Sequence, residues 1–220
     1  MGVNYNPGIV TNGLVLCLDA ANKKSYSGSG NTWIDLSGNG NTGTLINNPT
    51  FNSSNNTITL NGTSQYITGN CGPSFTNGAA YTSILWFKLA TISGEQHLIE
   101  LQGGQNNGVQ FYSYGGVGTL NTNNYGNLTG GPAIVPGTWN MAVQAKDASG
   151  NAAMYLNGVL IASGTLPTYG LATKYYIGEF VGGGSYYLNG QISIAQMYNR
   201  MLSASEISQN FNAIRGRYGI

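Results

Sequence analysis

Charge is what this chain has least of: Asp, Glu, Lys and Arg make up 7% of its 220 residues, against about 25% in an average globular domain. The formal net charge is only +1, so there is no basic surplus to neutralise phosphates, and nothing points to nucleic acid as a partner. A single histidine and two cysteines leave no ligand set for zinc and no disulfide framework. Cys17 lies in an apolar run and Cys71 in a Gly-Pro loop. They read as two unpaired thiols, with a disulfide between them as the alternative. No apolar stretch approaches the roughly 20 residues of a membrane-crossing helix, so a soluble chain without membrane insertion is expected. Residues 1–12 have neither a basic start nor a hydrophobic run. A secretion signal is therefore not expected, and synthesis is expected to end in the cytoplasm.

Turn formers are what the chain has in excess, with 34 Gly and 28 Asn, residue types that tolerate left-handed backbone. Hydrophobic residues at 41%, with 15 Tyr, supply a sizeable core, so scarce charge does not mean disorder. The resulting surface is polar but nearly uncharged. Such a surface suits packing against other copies or against glycans, because few charges must be desolvated.

Residues 139–165, WNMAVQAKDASGNAAMYLNGVLIASGT, read as a β-meander. Trp139, Met141, Val143 and Ala145 alternate with Asn140, Ala142, Gln144 and Lys146, the period of two that puts one set on a buried sheet face. Asn157-Gly158 is a strong two-residue hairpin signal. It sets a register that pairs Leu156 with Val159 and Met154 with Ile161, leaving Tyr155 and Leu160 to share the other face. Residues 82–89, TSILWFKL, are apolar on nearly both faces, as in a central strand. Strands are also expected over 14–18, 57–60, 65–68, 97–101, 109–114, 117–121, 174–178 and 191–199. In the last, Ile192, Ile194, Gln196 and Tyr198 oppose Ser193, Ala195, Met197 and Asn199. Residues 121–136 read as a long surface loop. The one convincing helix follows Ser203, whose partner three residues on is Glu206, a capping box. Ile207, Phe211 and Ile214 form its apolar stripe, and Gly216 marks its stop.

These pieces also carry a family resemblance. GLVLCLDA at 13–20, TWIDLSGNGNTGTL at 32–45, ITLNGTSQYIT at 58–68, TSILWFKL at 82–89, YLNGVLIASG in the meander and GQISIAQMYNRMLSASEI at 190–207 together resemble laminin G-like, concanavalin A-like jelly-roll domains. What the resemblance implies is an all-β fold, a two-sheet antiparallel jelly-roll sandwich with one short C-terminal helix, used for binding and assembly. The domain organisation expected is an arm at residues 1–12 and a single sandwich at 13–220. The YNPGIV lead and the DLSGNGN segment resemble proteins of tailed-phage virions. That likeness implies a non-enzymatic structural or decorating protein at the virion surface, made in the host cytoplasm. Its partners would be other virion proteins or copies of itself, and host-surface glycans. A free lectin-like module or adhesin is the alternative.

Some hydrolases of this sandwich carry paired carboxylates as E-x-D-x-x-E on one strand. None of the seven acidic residues here shows that spacing. Glu95 and Glu100 come nearest, but a separation of five sends them to opposite faces of an ideal strand, so no catalytic residue is expected. His97, without a second histidine, reads as structural or solvated. Asp35, Asn39 and Asn41 offer oxygen donors in a glycine-flexed loop, the one place where calcium has candidate ligands. An Asx-turn explains the same residues, and no cofactor is otherwise expected. Candidate glycan-binding aromatics are Tyr112, Tyr114, Tyr125, Tyr169, Tyr186 and Tyr187, since sugar sites pair aromatic faces with polar donors. In the arm, Val3, Tyr5, Ile9 and Val10 supply apolar area for docking on a neighbour, the alternative being a lead that belongs to this same domain.

Overall fold

The computed structural model describes residues 8–72, 79–102, 107–114, 117–122, 128–167, 172–180 and 183–220, with backbone alone at 107, 110–114 and 117. In chain order the strands begin with β1 (Leu14–Asp19), β2 (Thr32–Trp33), β3 (Gly43–Ile46) and β4 (Thr50–Asn52). Next come β5 (Thr57–Asn61), β6 (Tyr66–Asn70), β7 (Tyr81–Leu89) and β8 (Glu95–Gln102). The middle of the chain supplies β9 (Asn107–Tyr114), β10 (Val117–Thr122), β11 (Thr129–Gly130) and β12 (Asn140–Lys146). The last four are β13 (Asn151–Leu156), β14 (Val159–Thr165), β15 (Lys174–Ile177) and β16 (Asn189–Tyr198), ahead of helix α1 (Ala204–Ile214).

Two eight-stranded sheets face each other. One runs β14-β13-β12-β7-β16-β5-β4, with β1 also paired to β16; the other runs β11-β10-β9-β8-β15-β6-β3-β2. Every pairing is antiparallel, which fits the all-β sandwich expected from pattern and resemblance. The hairpin turn is where the sequence puts it, with Asn157 at φ 52° and Gly158 at φ 80°, the positive pair of a type I′ turn. Its register differs by one step beyond Tyr155. Leu156 pairs with Val159 and Tyr155 with Leu160, but a bulge then pairs Met154 with Ala162 instead of Ile161.

The first sheet is buried on both faces, which overturns the simple alternation expected for β12. All seven of its residues are buried. Ala142 belongs to the core between the sheets with Leu85, Phe87, Met154 and Met197. Met141, Val143 and Ala145 instead join Ile84, Trp86 and Tyr198 in a second core on the outer side. The cover for that second core is α1, begun by the expected capping box of Ser203 and Glu206. Ile207 is buried in it, and Phe211 stacks on Trp86 at 5.7 Å with rings nearly parallel at 4°. The helix does not stop at Gly216: it tightens into a 3-10 turn at Arg215–Tyr218, and Gly219 at φ 70° ends it. Tyr218 thereby reaches Trp86, with centroids 4.8 Å apart. A bulge in β16 between Ile192 and Ile194 explains another departure from the expected alternation, since the extra residue reverses the parity of the strand. Ile192 packs between the sheets and Ile194 under the helix.

Cys17 and Cys71 are both free and buried. Burial pushes their thiols up, to about 11 and about 12, so neither is a ready nucleophile. Because Trp86 is fully buried and sandwiched between sheet and helix, Trp86→Ala is expected to cost about 3 to 5 kcal/mol in unfolding free energy. A loss below about 1 kcal/mol in denaturant titration would contradict this second core.

Candidate functional site

The features expected to carry function are placed unequally. Tyr125, Tyr169, Val3 and Tyr5 lie outside the described residues, as do the side chains of Tyr112 and Tyr114 on β9. Val10 is not free to dock elsewhere: it is buried, its amide donates to Asn210 Oδ1 at 2.8 Å and its carbonyl accepts from the Tyr198 hydroxyl. Ile9 beside it is half-buried, and Gly8 accepts from Gln209. The described end of the lead therefore belongs to this domain. Asp35, Asn39 and Asn41 do come together, but as a clasp. Asp35 Oδ1 accepts from the amides of Cys17 and Ser37, and Oδ2 from Ser37 Oγ and the Asn41 amide. The amide groups of Asn39 and Asn41 donate to the Leu14 and Val15 carbonyls. Asp35 thus organises the DLSGNGN loop against β1, using both oxygens to satisfy protein donors.

Glu95 and Glu100 are a correction with consequences. They do not point to opposite faces, because β8 contains a bulge between His97 and Ile99. Leu98 is the extra residue, and it reverses the parity so that Glu95, His97 and Glu100 share one face. Its carbonyl accepts from Gly178. Opposite Glu100 stands Gly108, where an added Cβ would lie 2.6 Å from Glu100 Cγ. Only glycine lets the two strands approach there. The His97 ring is then held at both nitrogens, Nε2 by Glu95 Oε1 at 2.7 Å and Nδ1 by Glu100 Oε1. Neither ring nor Glu100 is exposed.

With a carboxylate at each nitrogen, the ring donates twice only as imidazolium. Burial works against that charge, but the hydrogen bonds the ring donates to Glu100 and Glu95 outweigh it and raise the His97 pKa to about 9. Above this ion triad lies Tyr186, from the segment joining β15 to β16. Its ring stacks on the imidazole at 5.5 Å and 21°, its carbonyl accepts the His97 amide at 2.9 Å, and Phe180 meets both rings edge-on. Tyr186 stands at φ 54°, a left-handed backbone that costs a tyrosine roughly 1 to 2 kcal/mol. Tyr186 as a residue is nonetheless 46% exposed. An aromatic side chain thus stands at the surface with one face laid on a buried imidazole.

Around that face lies a depression of about 420 Å³, lined by Thr91, Ser93 and Glu95 on one side and Tyr186, Tyr187 and Asn189 on the other. Gln96 ties its walls together, accepting from the Asn189 amide and donating to the Thr91 carbonyl. Glu179, buried behind the loop, accepts from the Gly184 amide at 3.0 Å, and burial raises its pKa. Sequence reasoning named Tyr186 and Tyr187 but missed the triad and Gln96. Gly108 was the only local signal, and its meaning depends on which residue it faces. Two other depressions, of about 380 and 370 Å³, meet at Tyr26 and Phe51.

The triad predicts a pH dependence. A pKa raised to about 9 from 6.5 gives stability that is fully present below pH 6.5 and is lost as pH rises through 9. Between pH 6.5 and 8, where the thiols of the unfolded chain are still mostly protonated, unfolding free energy should fall by about 1.5 kcal/mol. His97→Gln should flatten that window, and an equal slope in the variant would contradict the triad.

The concanavalin A-like lectin/glucanases superfamily model matches residues 61–208. No curated protein sequence matches the chain. Among solved structures, the chain resembles Trypanosoma rangeli sialidase in complex with sialic acid, at TM-score 0.69 and 14% identity. That match covers 94% of this chain but 34% of the sialidase, so the chain spans about a third of that enzyme's length. It also resembles domain 4 of AbnA, a GH43 extracellular arabinanase from Geobacillus stearothermophilus, in complex with arabinotriose, at TM-score 0.63 and 19% identity. There the match covers 90% of this chain and 97% of the domain. At such identities these likenesses speak for the fold; the family match, which takes in strands of both sheets, the Tyr186 loop and the start of α1, shows that the chain belongs to the concanavalin A-like lectin/glucanase superfamily.

Proposed function

We propose that this chain is a non-enzymatic carbohydrate-binding module whose saccharide seats on Tyr186. The observation that carries the reading is the exposed Tyr186, stacked over His97 at a left-handed backbone angle. Sugar rings present a face of C–H groups to an aromatic ring and hydroxyls to surrounding polar groups. Asn189, Thr91, Ser93 and Glu95 supply those polar groups at the rim. A binding role fits better than catalysis because each carboxylate of β8 is held against the imidazole through one oxygen. Neither stands ready as the acid or nucleophile that glycoside hydrolysis needs. The arabinotriose on the arabinanase domain, an entire domain of similar extent, supports the class of ligand.

On the same proposal, the module works at the surface of a tailed-phage virion, made in the host cytoplasm, with virion proteins or copies of itself as neighbours and host glycans as ligands. The support for that setting is the resemblance of the YNPGIV and DLSGNGN segments, together with a surface poor in charge. Mass spectrometry of purified particles checks it, since a free lectin would be missing from them. The binding reading is checked on a glycan array followed by calorimetry. Tyr186→Ala should weaken saccharide binding by about tenfold or more with folding retained. Unchanged affinity would remove Tyr186 from the function.

A further inference from the structure

We infer that the Tyr186 depression selects its ligand by charge, taking uncharged and amine-bearing sugars and rejecting carboxylate-bearing ones. The inference rests on the saccharide reading above and specifies the ligand class of that site. The charged groups around the depression come from two elements only. From β8 come Glu95 at the rim and His97 and Glu100 beneath it. From the segment between β15 and β16 comes Glu179, behind Tyr187. The other lining residues, Thr91, Ser93 and Asn189 among them, are uncharged, and no Lys or Arg lines the depression among the described residues.

The one cation of the site cannot serve a ligand. His97 is fully buried, and each of its ring nitrogens already faces a glutamate. Two carboxylates around one imidazolium leave a net charge of about −1, to which Glu179 adds whatever fraction it ionises. A sugar carboxylate is ordinarily met by Arg or Lys through charge-assisted hydrogen bonds. Here it would meet Glu95 instead, across a rim with no compensating donor charge. A neutral sugar loses nothing, because Glu95, while bound to His97 through one oxygen, still has lone pairs for hydroxyl donors. An ammonium group at the same place gains an ion pair. The likeness to a sialidase solved with sialic acid, an acidic sugar, therefore does not extend to this depression.

The test uses the full chain in calorimetric titrations with matched sugars: glucose, galactose and mannose, their free-amine forms and their uronic acids. The amine forms should bind about tenfold more tightly than the neutral ones at low salt, with the advantage fading as salt screens the rim. The uronic acids should bind at least about tenfold more weakly than the neutral sugars. Ser93→Lys places a cation at the rim without touching the triad, and it should admit the uronic acids. Uronic acids binding as tightly as neutral sugars, or a Ser93→Lys profile identical to the parent, would overturn charge selection while leaving the saccharide site standing. Absence of binding in all three series, or binding untouched by Tyr186→Ala, would overturn the site itself and this inference with it.

Discussion

The grip of Glu95 and Glu100 on the His97 ring is the interaction on which the rest of the candidate site depends. It exists because one extra residue, Leu98, turns the strand over. Without that bulge the two carboxylates would part, and Nδ1 of the buried ring would lose Glu100 while Nε2 kept Glu95. A buried charge triad of this kind is costly to break, since removing one member strands the others in a low-dielectric setting. The ring it fixes is the surface on which Tyr186 stacks, and the His97 amide donates to the Tyr186 carbonyl. Both glutamates fix the position of the ring.

The same sandwich supports this by being rigid elsewhere. Its first sheet is packed on both faces, against the opposing sheet on one side and against α1 and Tyr218 on the other. Arg200 binds Glu206 through both terminal nitrogens and the Asn12 carbonyl through Nε, so lead, last strand and helix are locked together. Arg217 likewise reaches Asp19 at the start of the chain. Of the few charges available, Glu95, Glu100, Arg200, Glu206, Arg217 and Asp19 are committed to ion pairs, and the surface left over carries little charge. That composition is compatible with repeated weak polar contacts, the way glycan sites work.

Local signals were legible in the sequence and long-range ones were not. Asn157-Gly158 and the Ser203–Glu206 box were readable because each acts within a few residues of itself. The fold class followed from alternation plus resemblance. What alternation misjudged was the polar half of β12: Gln144 and Lys146 look solvent-facing but are buried between the sheets, a placement set by strands far away in sequence. Bulges at His97/Ile99, Ile192/Ile194 and Met154/Tyr155 each reversed a parity argument that assumed an ideal strand. Asp35 was found, but its partner on β1, the Cys17 amide more than fifteen residues earlier, was not.

Because the chain has a single histidine, its imidazole signals in NMR report on the centre of the site without assignment ambiguity. The account predicts a ring that stays doubly protonated through neutral pH, titrates near pH 9, and shifts its resonances when a neutral saccharide is added, since the ligand would rest on the tyrosine stacked above it. A histidine that titrates near its ordinary value of about 6.5, with signals indifferent to any saccharide, would contradict the account at its centre.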